Sequence, residues 1–238
     1  MITLALIGVG RWGGNFLNTV KRMNTCNIKY IASRSVKTIS QLPSQYIKTT
    51  NYKDFLKCSD IDGVIIATPG STHYEIIKTF LSTKQPMLVE KPFTTNYKNA
   101  LNIRKLVKGK PNIMVGHIYL YNPAYLTVKK LVPRIGKLRY ISFKGYNYGP
   151  FRNDMSALWE WAPHGVSICL DLIDDQPLEV TAWVLNSLRP KTKLYDNIQI
   201  QLKFKNGIVS LLEFGWLYPY KRRELIIYGS KSTILFDD

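Results

Sequence analysis

Gly8-Val9-Gly10-Arg11-Trp12-Gly13 is the first segment where residue type and spacing together imply chemistry. It follows an apolar run, Thr3–Ile7, and opens a helical stretch. In a strand–loop–helix setting the first glycine permits a tight turn and the second lets the backbone approach a pyrophosphate. The third lets helix and strand pack closely, and the free N–H groups of the helix N-terminus face the phosphates. Gly8, Gly10 and Gly13, with Arg11 and Trp12 between them, are therefore candidate dinucleotide-binding residues. The second such segment is Leu88-Val89-Glu90-Lys91-Pro92, which ends a strand at the carboxyl edge of the sheet, where ligands of open α/β sheets bind. A lysine there can hold its ammonium against an oxygen that gains negative charge as hydride leaves or arrives. Proline after it predicts a rigid bend, open to the cis form, that aims the side chain.

Whether the cofactor carries a ribose 2′-phosphate is read further along. About 20 residues beyond the last glycine, an NAD-specific site usually presents Asp or Glu to the ribose hydroxyls. This chain has Ser33-Arg34-Ser35 there, and its first acidic residue is Asp54. A guanidinium pairs with phosphate through parallel hydrogen bonds, so Ser33 and Arg34 favour NADP over NAD. The alternative is that Arg34 stacks on adenine and tolerates either cofactor.

Taken together, Gly8–Gly13, Ile66-Ala67-Thr68-Pro69 with Thr72-His73, and Glu90-Lys91-Pro92 resemble the glucose–fructose oxidoreductase / inositol dehydrogenase / rhizopine catabolism (Gfo/Idh/MocA) family. The resemblance continues through Gly116-His117, Tyr121-Asn122-Pro123-Ala124, Gly136-Lys137 and Leu158–His164. It ends with Trp216–Arg223 and Gly229-Ser230-Lys231, so it covers essentially the whole chain. The later segments look most like the branch that handles sugars and nucleotide-linked sugars.

The resemblance implies hydride transfer between a nicotinamide and a hydroxyl or keto carbon of a sugar or nucleotide sugar. It adds Ala67, Thr68, Pro69, His73, Glu90, Lys91 and Pro92 to the cofactor site and makes Lys91 catalytic. The family's Asp-x-x-x-His element stands here as Glu160-x-x-x-His164, a spacing that puts both side chains on one helical face. His164 would take the hydroxyl proton and return it, its unperturbed pKa lying near neutrality. Glu160 would orient the imidazole or contact the sugar. His117, Tyr121, Asn122, Arg152, Asp154 and Trp159 would line the substrate side, with packing an equal reading for the two aromatics. Lys221–Arg223 would add charge for a diphosphate. The chain ends at Asp238, where longer relatives add strands and a helix, and Gly165 replaces an acid common in that branch. A non-catalytic dinucleotide-binding sensor or subunit is the alternative function.

These residues need two frames. Up to about Gly116, short apolar runs at Thr3–Ile7, Ile28–Ala32, Gly63–Ala67, Met87–Glu90 and Ile113–Val115 alternate with helical patterning at Asn15–Met23 and Tyr74–Leu81. Near-continuous apolar runs suit parallel strands covered on both faces, and the βαβα rhythm implies a doubly wound α/β sheet. The expected first domain is a Rossmann dinucleotide-binding domain over residues 1–119. Residues 120–238 then read as an α+β substrate and oligomerisation domain with a mixed, largely antiparallel open sheet. Its expected elements are helices at Pro123–Leu131 and around Val166–Ile173. The expected strands are Leu138–Tyr148, Glu179–Leu185, Asn197–Phe204, Ile208–Phe214 and Glu224–Tyr228. Asn206-Gly207 marks a hairpin turn.

Composition bounds the rest. The chain has 238 residues, of which 45% are hydrophobic and 21% charged, an ordinary globular balance. Cys26, Cys58 and Cys169 share no ligand-like spacing, which predicts buried thiols in a reducing compartment, no disulfide frame and no metal site. The N-terminal run lacks a basic leader and a cleavage site, and no stretch reaches about 18 uncharged apolar residues. The expected location is the cytoplasm, with no membrane partner. The net charge is +17, with its tightest clusters at Lys105–Lys110 and Lys221–Arg223. Without zinc-finger spacing or an RNP-like motif, it is assigned to a solvated basic surface and not to nucleic-acid binding. The resemblance further implies a homo-oligomer, a dimer or a tetramer.

Overall fold

Strand geometry sends successive side chains to opposite faces, and in the central strands of the N-terminal half near-continuous apolar runs bury both. The computed structural model describes every residue except 84, 108–111, 186, 187, 190 and 193. Residues 108–110 of the basic run at 105–110 thus lie outside the described residues. The chain divides into two units, residues 1–116 and 117–238.

In the first unit, β1 (Ile2–Ile7), β2 (Cys26–Ala32), β3 (Ile47–Thr49), β4 (Gly63–Ile66), β5 (Met87–Val89) and β6 (Ile113–Val115) form one sheet. All its pairings are parallel and the order is β3-β2-β1-β4-β5-β6. Ala5, Ile7, Val64 and Ile66 join the core on one face, while Leu6 and Ile65 join the core on the other. Helices α1 (Arg11–Val20), α2 (Val36–Ser40), α3 (His73–Phe80) and α4 (Tyr97–Leu106) connect the strands. Helix α1 starts four residues before the expected Asn15. The Gly14 amide donates to the Gly10 carbonyl at 2.9 Å, so the helix begins inside the glycine loop, ahead of its first apolar residues.

In the second unit, α5 (Pro123–Leu131) leads to β7 (Leu138–Tyr148), α6 (Ala157–Ile173), β8 (Pro177–Leu185), β9 (Asn197–Phe204), β10 (Val209–Gly215), β11 (Leu217–Gly229) and β12 (Thr233–Asp237). The sheet order is β12-β11-β7-β10-β9-β8, with β7 and β10 the one parallel pair. Gly207, at φ +79°, closes the β9–β10 hairpin at the expected turn. In β9, Ile198, Ile200, Leu202 and Phe204 are buried while Gln199, Gln201 and Lys203 are exposed.

Helix α6 packs on the buried face and begins nine residues earlier than the apolar run around Val166 indicates. Its first half holds Trp159, Trp161, Pro163 and Gly165, poor helix formers that packing overrides. Trp161, Ala162, His164 and Gly165 are all buried there. Among the described residues, no helix is long and apolar enough to cross a membrane.

Candidate active site

The order β3-β2-β1-β4 reverses direction between β1 and β4, and a ligand crevice is expected at that switch point. A cleft of about 500 Å³ lies there. Its walls are Ile7–Gly10 after β1, Ala32–Ser35 after β2, Thr50 and Tyr52, Ala67–Pro69 after β4, and Ser71, Thr72, Glu75 and Ile76. Gly8 has φ +98°, and a side chain on it would meet the Ala67 carbonyl group at 2.8 Å. A Cβ on Gly13 would lie 2.1 Å from the Gly8 carbonyl oxygen, so helix and turn touch only because it is absent. At Gly10 nothing lies within 4 Å of that position. The loop is therefore tight on the protein side and open on the cleft side. Gly10 caps α1 without a side-chain acceptor, leaving the helix's first N–H groups to a ligand. These residues fit a dinucleotide pyrophosphate.

The sequence-derived cofactor residues fall into three groups. Gly8, Gly10, Ser33, Arg34, Ala67, Thr68 and Pro69 line the cleft. Arg11 and Trp12 are exposed in the first turn of α1, and Gly13 is buried behind the loop. Arg34 is exposed, and among the described residues it has no ion pair or hydrogen bond through its side chain. Ser35 caps α2 by accepting from the Thr38 amide at 3.2 Å. Thr50, Tyr52, Ser71 and Glu75 also line the cleft, and no local motif marks them.

Glu90, Lys91 and Pro92 form the third group, at the end of β5. The Glu90 amide donates to the Ile66 carbonyl at 2.9 Å, and the Gly116 amide to the Val89 carbonyl at 2.7 Å. Glu90 is 5% exposed, and its carboxylate accepts from the Lys91 amide at 3.2 Å. A Cβ at Gly116 would come within 3.3 Å of that carboxylate, so glycine there leaves room for it. The Lys91–Pro92 bond is cis. His73 is fully buried; its Nδ1 lies 2.8 Å from the Pro92 carbonyl and its Nε2 2.9 Å from that of Thr68. Burial lowers its pKa, against backbone contacts that raise it.

In the second unit, Glu160 and His164 share one face of α6, with His164 buried. Tyr119 and Trp161 meet the His164 ring edge-to-face, with centroids at 5.1 and 6.2 Å. The Tyr119 hydroxyl donates to Asp238 at 3.1 Å, and burial raises its pKa. Arg223 pairs with Asp238 at 3.4 Å and lies over the Trp161 ring. Trp161 lies one helical turn before the histidine, whereas Tyr119 and the Asp238 that holds its hydroxyl come from distant segments and have no signal in local sequence.

Arg152 binds Asp154 with two nitrogens, at 2.9 and 2.8 Å, and Glu160 with a third at 3.2 Å. That pairing lowers the pKa of Asp154. Asn122 caps α5 by accepting from the Ala124 and Tyr125 amides at 2.8 and 3.2 Å. Trp159 is half-buried, Tyr121 is 64% exposed, and His117 precedes a short turn with its pKa lowered by burial. The run Lys221–Arg223 is not one anion-facing patch. Neighbours on a strand point to opposite faces, and Arg222 is held by Glu224 at 2.9 Å while Arg223 is held by Asp238.

A parallel sheet in the order β3-β2-β1-β4-β5-β6 with a glycine cradle at its switch point, followed by a mixed sheet with a buried helix, defines a two-unit α/β protein of the Rossmann class. Residues 2–117 match the oxidoreductase family with an NAD-binding Rossmann fold, and residues 125–235 match the GFO/IDH/MocA C-terminal domain. The chain belongs to the GFO/IDH/MocA family. It is similar to inositol 2-dehydrogenase of Mycolicibacterium gilvum (strain PYR-GCK), 28% identical over 137 residues. That match spans 55% of this chain and only 39% of the relative's length. Among the solved structures that share its fold, two are described as a dehydrogenase and as an NAD complex. One is myo-inositol 2-dehydrogenase from Lactobacillus plantarum, with TM-score 0.88, 19% identity, and 99% of this chain and 76% of that chain covered. The other is GenD2 from gentamicin A biosynthesis in complex with NAD, with TM-score 0.90, 18% identity, and 99% and 72% covered.

Proposed function

We propose that this chain is an NAD(P)-dependent dehydrogenase or reductase acting on a ring CH–OH group of a sugar or cyclic polyol. The observation that carries the reading is Lys91 at the carboxyl end of β5, in the same sheet whose switch point holds the glycine-cradled cleft. The inositol 2-dehydrogenase relatives support the substrate class. A free, uncharged polyol is favoured over a nucleotide sugar. Arg152 is neutralised by two carboxylates, and Arg222 and Arg223 are each paired within the chain.

Gly8, Gly10 and the first turn of α1 hold the pyrophosphate; Ser33 and Arg34 hold the adenine ribose; Ala67–Pro69 form the opposite wall. The dinucleotide, when bound, accepts or supplies the hydride. During oxidation the Lys91 ammonium stabilises the substrate oxygen as its proton leaves. His164 takes that proton and returns it in reduction. Tyr119 and Trp161 hold its ring in place, and Glu160 with Asp154 accepts hydrogen bonds from ring hydroxyls. NADP is preferred to NAD, because Arg34 faces the cleft and the β2 end carries no carboxylate. The protein assembles as a dimer or tetramer through its second sheet. It works in the reducing cytoplasm, in keeping with the free thiols of Cys26, Cys58 and Cys169.

The test is turnover of myo-inositol and related sugars with NADP or NAD, alongside dinucleotide titration. Lys91→Met and His164→Asn should each lower kcat by about 10²–10⁴-fold while leaving dinucleotide affinity within about threefold. Turnover that survives both substitutions rejects the mechanism.

A further inference from the structure

Both ring nitrogens of His73 lie within hydrogen-bond distance of a backbone carbonyl, one on each functional loop. It is the first residue of α3 and is fully buried. Its Nε2 reaches the carbonyl of Thr68, a wall of the cleft, and its Nδ1 reaches the carbonyl of Pro92, next to Lys91. We infer that His73 is a positioning residue that ties the dinucleotide cleft to the lysine turn, holding the Thr68 loop and the Lys91–Pro92 segment at one separation. The inference rests on the proposed role of Lys91.

Carbonyl oxygens only accept, so a contact is a hydrogen bond where the ring nitrogen carries the proton. A neutral imidazole donates to one carbonyl at a time, and an imidazolium donates to both. Burial opposes the cation, while the backbone of Pro92, Thr68 and Phe93 favours it, and none of these causes is a charged side chain. In either state the ring fills the space between the two carbonyls. The Thr68 side of this tie is itself fixed. The Thr72 hydroxyl lies 2.8 Å from the Thr68 hydroxyl and 2.7 Å from the Pro69 carbonyl. A residue needed only for packing would not have to meet two backbone acceptors, one on each loop. An ångström of drift at a reacting group is enough to cost rate, so this tie sets where the ammonium stands relative to the cleft.

The test compares the full chain with His73→Phe, which keeps the bulk and removes both ring nitrogens, and His73→Asn, whose single amide nitrogen serves one of the two loops. NADPH affinity is read by fluorescence titration. The rate of Lys91 acylation against pH is read by mass spectrometry on cofactor-free protein. A folded His73→Phe should bind NADPH about tenfold more weakly and change the Lys91 rate at least about threefold, with His73→Asn in between. Wild-type values for both readouts in folded His73→Phe overturn the inference. Should that variant not fold, the wild-type ring is read directly by nitrogen-15 NMR, made tractable by a chain with three histidines. A slowly exchanging ring N–H at His73 supports the tie, and a freely exchanging one overturns it. A changed Lys91 rate in a protein that turns over no sugar would support the tie and reject the proposed activity.

Discussion

Arg34 stands where a carboxylate would exclude a 2′-phosphate, and its state differs from that of the other arginines near functional segments. Arg152, Arg189, Arg222 and Arg223 are each committed to a carboxylate of this chain, whereas Arg34 extends from the end of β2 along the cleft. A bidentate guanidinium–phosphate contact is worth a few kcal/mol at most in a wet site, or about tenfold to a hundredfold in affinity. Arg34→Ala should therefore weaken NADPH by roughly that factor and leave NADH within about threefold, as measured by calorimetry. Equal losses for both cofactors would return Arg34 to the adenine-stacking role. At this scale the sequence was informative where function is local. The glycine loop, Arg34 and the Lys91–Pro92 turn are contiguous segments whose backbone geometry follows from residue type. The setting of His164 was only partly legible, since Tyr119, which meets the ring, is held by Asp238 at a separation of 119 residues. The capping role of Asn122 was open to reading, because Asn before Pro at a helix start is a local signal.

At the scale of elements, β7, β9 and β10 were legible to within a residue, whereas β11 begins seven residues before the expected Glu224 and α6 nine before Val166. Its amino half has weak helical preference, and what holds it is fit against the sheet. A Cβ on Gly145 of β7 would stand 2.8 Å from the Trp161 ring, and one on Gly165 of α6 would stand 3.0 Å from Phe143. Two glycines, one on each element, let the helix settle onto the sheet where His164 is buried. Gly165 thus has a packing reason for replacing an acid. Gly145→Ala inserts one methyl into that contact and should cost about 1–3 kcal/mol of stability, read from urea unfolding. The displaced Trp161 also borders His164. The same variant should therefore lose kcat while dinucleotide affinity, set within residues 1–116, stays unchanged. A variant that loses stability but keeps full kcat would show that the helix position tolerates the shift.

For the whole molecule, the proposed self-association has to be reconciled with a net charge of +17. Like charges at that level repel, so a self-complementary surface must be locally neutral. The outer face of the second sheet meets that condition. By strand alternation and register it carries Lys144, Lys203 and Arg222 against Glu179, Glu213, Glu224 and Asp237. Several of these are already paired, Lys203 with Glu179 at 3.0 Å and Lys144 with Glu224 at 3.6 Å. Between them lie Tyr140, Tyr146, Ile226 and Tyr228, with Trp183 on the edge strand β8, 55% exposed. Strand β8 is open on both faces, and Val180 is 63% exposed on the side where α6 covers the inner strands. An uncovered edge strand of this kind is a liability unless another chain meets it, and a stable interface needs about 800 Å² from each partner. Trp183→Glu places an unpaired carboxylate at the edge-strand side of the proposed contact. It should convert a dimer or tetramer to monomer at micromolar concentration in analytical ultracentrifugation, with little change in folding. Raising the salt should strengthen wild-type association, because screening removes the repulsion between cationic chains while the apolar and aromatic contacts remain. A wild-type chain that stays monomeric at every salt concentration would mean that this neutral, aromatic face serves some other partner.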